Sequence, residues 1–237
     1  WQLNLPESRK SSLKDFNIAI WSNDEMAPVS KDISQRCEEV GKNLASVGAN
    51  VSYTAKPDHD FLKGEINYQL LLQSVMQSGM SDDEFKKIEE IASNLDKNDL
   101  SAEAILARGT VLSHRNWIRQ NYAREQIKIS WSKFFQEWDI LICPQLATTA
   151  IKHDHGKISE RTIMIDNQEQ RFFQQIFWPG LAVNAHLPST VFPTGLASDG
   201  MPIGLQAIGG AYEDKTTIKF AELYEQEFKA FVVPNLD

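Results

Sequence analysis

Apolar residues recur along this chain at two spacings, and the changes of spacing mark its elements. Phe16-Asn17-Ile18-Ala19-Ile20-Trp21 reads as a strand, with Ser22-Asn23-Asp24-Glu25 as the loop after it. Ile33, Cys37, Val40, Leu44 and Val47 then step by four, three, four and three residues, one stripe of an amphipathic helix. Ser30 is placed to cap that helix, Asp32 lies near its positive end, and Gly48 closes it in the left-handed position. Ala49-Asn50-Val51-Ser52-Tyr53 is the next strand. A strand, helix, strand unit predicts a parallel pair with a right-handed crossover.

A helical region follows. The spacing predicts one helix over 61–77, with Ile66, Leu70 and Leu71 among its apolar positions. Ser81-Asp82-Asp83-Glu84 is a capping box, opening a helix whose face is Phe85, Ile88, Ala92 and Leu95. Residues 101–138 contain no proline and read as a longer helix carrying His114, Arg115 and Arg119. Asp139-Ile140-Leu141-Ile142-Cys143-Pro144 is a short apolar run stopped by proline, as a buried parallel strand would be.

Residues 145–160 read as a loop around Lys152-His153-Asp154-His155-Gly156, and 172–186 as an apolar helix broken or bent near Pro179-Gly180. Ser189-Thr190-Val191-Phe192 and 203–208 form two strands, joined by the turn residues Ser198-Asp199-Gly200-Met201-Pro202. A last helix opens near Glu213 or Asp214, with Ile218, Ala221, Leu223 and Phe228 as its apolar positions. Residues 1–15 read as an extended entry segment and 231–237 as a tail. Together these predict an α/β fold: a mixed β-sheet flanked by helices, as a single domain over 1–237 with a helical insertion over about 58–138. The opposed strands of the final hairpin make the sheet mixed.

Composition adds exclusions. At 42% hydrophobic and 24% charged the chain can bury a core. Its net charge of −8 argues against nucleic acid as a main partner, because phosphate backbones need clustered Lys and Arg. Two cysteines, Cys37 and Cys143, make no disulfide framework and read as reduced core thiols. No run approaches the roughly 20 apolar residues of a membrane span, and no signal peptide is seen, so the cytoplasm is the default location. The chain begins at Trp1 without an initiator Met, which fits a processed or shortened product.

The C-terminal third carries a resemblance. LPSTVFPTG followed by DGMPIGLQAIGGAYED is similar to the end of amidase signature sequences. Those read L-P-A, an apolar strand, P-x-G, then D-G-L-P-x-G-x-Q and a helix opened by Glu or Asp. Trp138-Asp139-Ile140-Leu141-Ile142-Cys143-Pro144 resembles that family's D-x-L-L-x-P strand. The likeness runs over most of 13–228 and is specific near 139–144 and 187–214. It implies the C-terminal part of an amidase fold and hydrolysis of carbon–nitrogen amide bonds in a small-molecule substrate, with no cofactor.

The resemblance also implies an absence. Family members use two serines, set in or near a Gly-Ser-rich loop, and a lysine base. No such loop occurs here; the only double glycine, Gly209-Gly210, is followed by Ala211 and Tyr212. No catalytic residue is therefore assigned, and the chain alone is expected to be inactive. The implied contribution is the wall of the substrate pocket, with Phe177, Trp178, Leu181, Asn184 and His186 as candidates and His153, Asp154 and His155 on a loop near it. Each of these also reads as core packing or as a polar surface loop.

Other chemistry is weaker. Ser11 with Lys14, and Ser130 with Lys133, make S-x-x-K patterns that arise readily by chance. The pair His153 and His155 falls short of the three or four ligands of a zinc site, with His186 the nearest further candidate, so no metal is expected. There is no G-x-S-x-G elbow and no G-x-G-x-x-G. The alternative function is a stand-alone, non-catalytic α/β domain that binds a small molecule or a partner protein. A chain lacking half of a fold should also self-associate through the surface that half would cover.

Overall fold

Five strands form the sheet: β1 (Asn17–Ile20), β2 (Asn50–Ser52), β3 (Ile140–Pro144), β6 (Ser189–Leu196) and β7 (Pro202–Ile208). They lie in the order β2-β1-β3-β7-β6. The computed structural model describes residues 1–156 and 160–234; residues 157–159 of the expected loop and the last three of the expected tail lie outside the described residues. Ile18 pairs with Val51 on one side and Ile140 on the other, both parallel, whereas β7 runs antiparallel to both β3 and β6. The sheet is mixed, and its strands fall where the alternation and the apolar runs place them. A second, two-stranded ribbon pairs β4 (Thr162–Ile165) with β5 (Gln168–Arg171).

By contact the chain divides into two compact units, one of Trp1–Asp58 with Trp131–Asp237, the other of His59–Ser130. In the first, helix α1 (Lys31–Ser46) buries Ile33, Cys37, Val40 and Leu44. It ends at Gly48, whose φ of 95° no β-carbon would favour. Ser30 holds the N-cap position, but its side chain makes no cap bond. The Lys31 amide instead donates to Asp166 Oδ2 at 2.9 Å, so the tip of the β4–β5 ribbon caps the helix. Asp32 Oδ2 accepts from Ser198 Oγ at 2.7 Å and from its amide at 3.1 Å, tying the β6–β7 turn to α1.

Helix α7 (Asp214–Phe228) lays Thr216, Thr217, Phe220 and Tyr224 inward. Phe220 meets Phe16 and Phe192 edge-to-face, both at 5.5 Å between ring centres. The expected apolar face is thus displaced: Ile218 is 59% exposed. The aromatic pair and two threonines fill the space that β6 leaves, and a β-branched residue one step round the helix faces water. Asp139, buried before β3, receives the Asn17 amide at 2.8 Å and ion pairs with Arg9 at 3.4 Å and Lys10 at 3.6 Å, which straps the entry segment down.

The helix expected over 172–186 is not broken at Pro179. Residues 172–176 make a 3₁₀ turn, and α6 (Phe177–Ala185) starts after it. Pro179 then falls in the first helical turn, where its missing N–H has no intrahelical partner to lose. The β4–β5 ribbon had no apolar alternation on its second strand to announce it. Its turn residues, Asp166 and Asn167, adopt φ of 47° and 67°, as a tight hairpin turn requires.

The second unit is helical. Its helices are α2 (Phe61–Met76), α3 (Asp82–Asn94) with the expected capping box, and α4 (Ala102–Thr110), followed by the start of α5 (His114–Glu137). The run expected as one helix over 101–138 is two. The chain breaks after Thr110 and restarts where Ser113 Oγ accepts the Asn116 amide at 3.3 Å. Gly109 faces α2 closely, and a β-carbon there would lie 2.7 Å from Gln73 Cβ. Asn67 Nδ2 donates to Gln120 O at 2.8 Å, joining α2 to α5.

Both thiols lie in the core, and burial pushes both up from the ordinary thiol range. A thiol raised in the native state keeps its proton while the unfolded chain ionises. Its contribution is therefore complete below the ordinary value of about 8.5 and is lost as pH rises beyond it. Denaturant midpoints followed upward through that range should show stability falling by about 1.4 kcal/mol per pH unit per thiol. A profile flat from neutrality to about pH 10 would contradict the burial.

Candidate functional site

Adjacent parallel strands β1 and β3 send their connections to opposite sides of the sheet. β1 leads through α1 to β2, and β3 leads through the β4–β5 ribbon and α6 to β6. Such a switch point opens a crevice at the carboxyl ends of the strands, where α/β proteins place their ligands. The loop after β1 forms one lip. Trp21 N donates to Ile142 O at 2.9 Å, Val29 N to Asn23 Oδ1 at 3.1 Å, and Ser30 N to Ala147 O at 2.8 Å.

Helix α6 closes over this lip. Trp178 Nε1 donates to Ala27 O at 3.0 Å and Gln174 Nε2 to Met26 O at 2.8 Å. The rings of Trp21, Phe177 and Trp178 lie 5.2–5.8 Å apart, all near perpendicular. Lys56 stands 4.0 Å above the Trp21 ring and 3.6 Å from Asp24 Oδ2, a cation–π contact at the crevice edge.

The sequence candidates divide by depth. Phe177, Trp178 and Leu181 are buried and are packed core. Asn184 is 6% exposed. His186 is exposed and ends α6 at a left-handed φ of 55°. His153, Asp154 and His155 sit exposed on their loop. The two imidazoles are 6.3 Å apart, and Asp154 Oδ1 accepts the Gly156 amide at 2.7 Å. Among the described residues no group of three or more ligating side chains gathers.

Sequence reasoning missed Gln206, although it lies within the conspicuous C-terminal stretch. Its buried Nε2 approaches Pro144 O at 2.9 Å, Trp178 O at 2.8 Å and Cys143 Sγ at 3.2 Å. Its Oε1 accepts from Ser189 Oγ at 3.0 Å. One amide thus joins the end of β3, the first turn of α6 and the start of β6. The available signal was a lone polar residue inside an apolar strand. A second feature is an open polar depression, lined by Asp32, Arg36, Glu39 and Ser198 among others. Arg36 there donates from Nη2 to Leu196 O at 2.8 Å. Bonding to Ser198 holds the Asp32 carboxyl below its usual range.

In the helical unit, His59 Nδ1 lies 3.2 Å from Ser130 Oγ. This is a serine against an imidazole, the pairing that activates a nucleophile. Ser130 is inside α5, however, where the helix ladder takes up the amides that would stabilise an oxyanion. Lys133, the other partner suggested for Ser130, is exposed. The side chains that meet between α6 and the loop after β1 are aromatic rings and the Gln206 amide, with the Lys56–Asp24 pair at the edge. Gln206→Leu should cost about 3 kcal/mol by chemical denaturation, because buried carbonyls of Pro144 and Trp178 lose their donor. A loss below about 1 kcal/mol would show that the amide is dispensable.

The amidase family profile matches residues 2–218. One component of the glutamyl-tRNA(Gln) amidotransferase of Listeria monocytogenes is 35% identical over 106 residues, 44% of this chain and 20% of its own length. The corresponding component from Thermosynechococcus vestitus is 32% identical over 111 residues, 46% of this chain and 21% of its own. Among solved structures, the same component of the glutamyl-tRNA(Gln) amidotransferase from Thermotoga maritima superposes with a TM-score of 0.65 at 16% identity, covering 95% of this chain and 46% of that one. A bacterial aryl acylamidase of the amidase signature enzymes superposes at 0.64 and 16% identity, covering 90% and 44%. The chain therefore spans under half of the solved amidases it matches, and its alignments span about a fifth of the curated relatives. With a family match over nearly its whole length and an amidase-like mixed sheet, this chain belongs to the amidase signature family.

Proposed function

We propose that these residues form the C-terminal portion of a hydrolase of carbon–nitrogen amide bonds. They supply the wall of the substrate pocket and the scaffold behind it, and the activated serine belongs to polypeptide outside the 237 residues. The observation that carries this reading is the aromatic cluster where α6 packs on the loop after β1, at the carboxyl end of β1. Its polar groups are held in internal bonds. In this reading Trp178 and Phe177 set the shape of the wall, while Asn184 and His186 lie where a polar group of an amide could be oriented. The His153–Asp154–His155 loop borders the pocket in the complete enzyme. Unit 2 is a helical insertion into one α/β domain. The two buried, unpaired thiols support a cytoplasmic setting.

An acyl anilide incubated with the 237-residue chain should be hydrolysed no faster than in buffer. Turnover above that control would place the nucleophile inside the chain and overturn the proposal. Loss of such turnover in Ser130→Ala would then identify the serine beside His59 as the group responsible.

A further inference from the structure

The entry segment carries three charged side chains, and each meets its opposite on the first unit. Glu7 pairs with Lys215. Arg9 reaches Glu213 Oε2 at 3.0 Å and Asp139 Oδ1 at 3.4 Å, and Lys10 lies 3.6 Å from Asp139 Oδ2. These contacts hold the segment almost alone. Among the described residues no backbone hydrogen bond joins residues 1–11 to the rest of the chain. No side chain before Leu13 is buried, and Trp1 and Leu3 stand in water. Burial begins at Leu13 and Phe16.

The two kinds of hold respond differently to salt. Exposed ion pairs are weak singly and are screened, whereas the burial of apolar side chains is not. Asp139 is buried, but it is not left alone when the two cations leave. Its Oδ2 accepts the Asn17 amide at 2.8 Å, and its own amide donates to Asn17 O at 2.8 Å. This reciprocal pair ties β1 to β3 at their amino ends without help from the segment. Ser11 and Ser12 lie between the ion pairs and Leu13, a short polar stretch in which the chain can turn away.

We propose that residues 7–10 are an electrostatic latch. At low ionic strength it closes over Asp139 and the start of α7; salt releases it while the sheet stays folded. When it is closed, Arg9 and Lys10 fill the acidic pair of Asp139 and Glu213. When it is open, that pair faces water. All of these contacts are internal to the chain, and the latch is independent of where the amidase nucleophile lies.

Trypsin reads the latch directly, because Arg9 and Lys10 are at once its cleavage sites and the docked side chains. Cleavage after either residue is timed in about 0.01 M and about 1 M sodium chloride, between which the Debye length falls from about 30 to about 3 Å. Each rate is divided by that of a free peptide spanning residues 5–14, which corrects for salt acting on the protease. The normalised rate should rise about fivefold or more, with the near-UV circular dichroism of the chain unchanged. Asp139→Asn keeps an acceptor for the Asn17 amide and removes the charge, so it should be cut at low salt as fast as the parent chain at high salt. Glu213→Gln, at a helix start where this side chain makes no cap bond, should fall between the two. Normalised rates indifferent to salt and to Glu213→Gln overturn the proposal. A rise that comes only with loss of the near-UV signal overturns it as well, because unfolding would then be what exposes the sites.

Discussion

Burying an amide is costly unless its hydrogen bonds are met, and the Gln206 side chain makes that cost a constraint on the sheet. Its Nε2 reaches Pro144 O and Trp178 O, and its Oε1 takes the Ser189 hydroxyl. Leaving such groups unmet costs about 1–3 kcal/mol each. A one-residue slip of β7 would turn Gln206 to the face where Phe192 packs on α7, with no acceptor waiting. Register, the seat of α6 and the meeting of β3 with β7 are therefore set by one residue. Apolar packing alone would tolerate more than one alignment.

That lock also ties α6 to the loop after β1. Once Trp178 O is fixed by Gln206, the Trp178 indole is aimed at Ala27 O, and the loop after β1 is drawn against α6. Perpendicular contacts among Trp21, Phe177 and Trp178 add about 0.5–1.5 kcal/mol per pair beyond burial. Lys56 and Asp24 close the outer edge by charge. These links join segments far apart in the chain, Ala27 with Trp178 and Trp178 with Gln206.

Much of this was readable from the sequence, and the reasons are specific. The five strands of the sheet, the stripe on α1, Gly48 and the Ser81 capping box each carry a local signal that the tertiary structure leaves intact. Tertiary contact decided the rest. Asp166, far along the chain, caps α1 in place of Ser30. Threonines and aromatic rings, rather than Ile218, suit the space beneath α7. Pro179 reads as a breaker until the start of α6 is known. At the site, Phe177 and Trp178 stood out by size, but their burial depends on Gln206 and the loop after β1, which no periodicity encodes.

The backbone amides beside the aromatic cluster are held by acceptors within the chain. An oxyanion is held by backbone N–H groups that have no other acceptor. Here Trp21 N is given to Ile142 O, Ser30 N to Ala147 O and Lys31 N to Asp166 Oδ2. The positive end of α1, which could attract an anion, is covered by the Asp166 carboxylate from the β4–β5 ribbon. To free these donors the ribbon and the loop would have to move, and α1 would lose its cap. The same bonds thus withdraw these amides from chemistry. Under the proposed reading, a serine brought to this face would need oxyanion donors of its own.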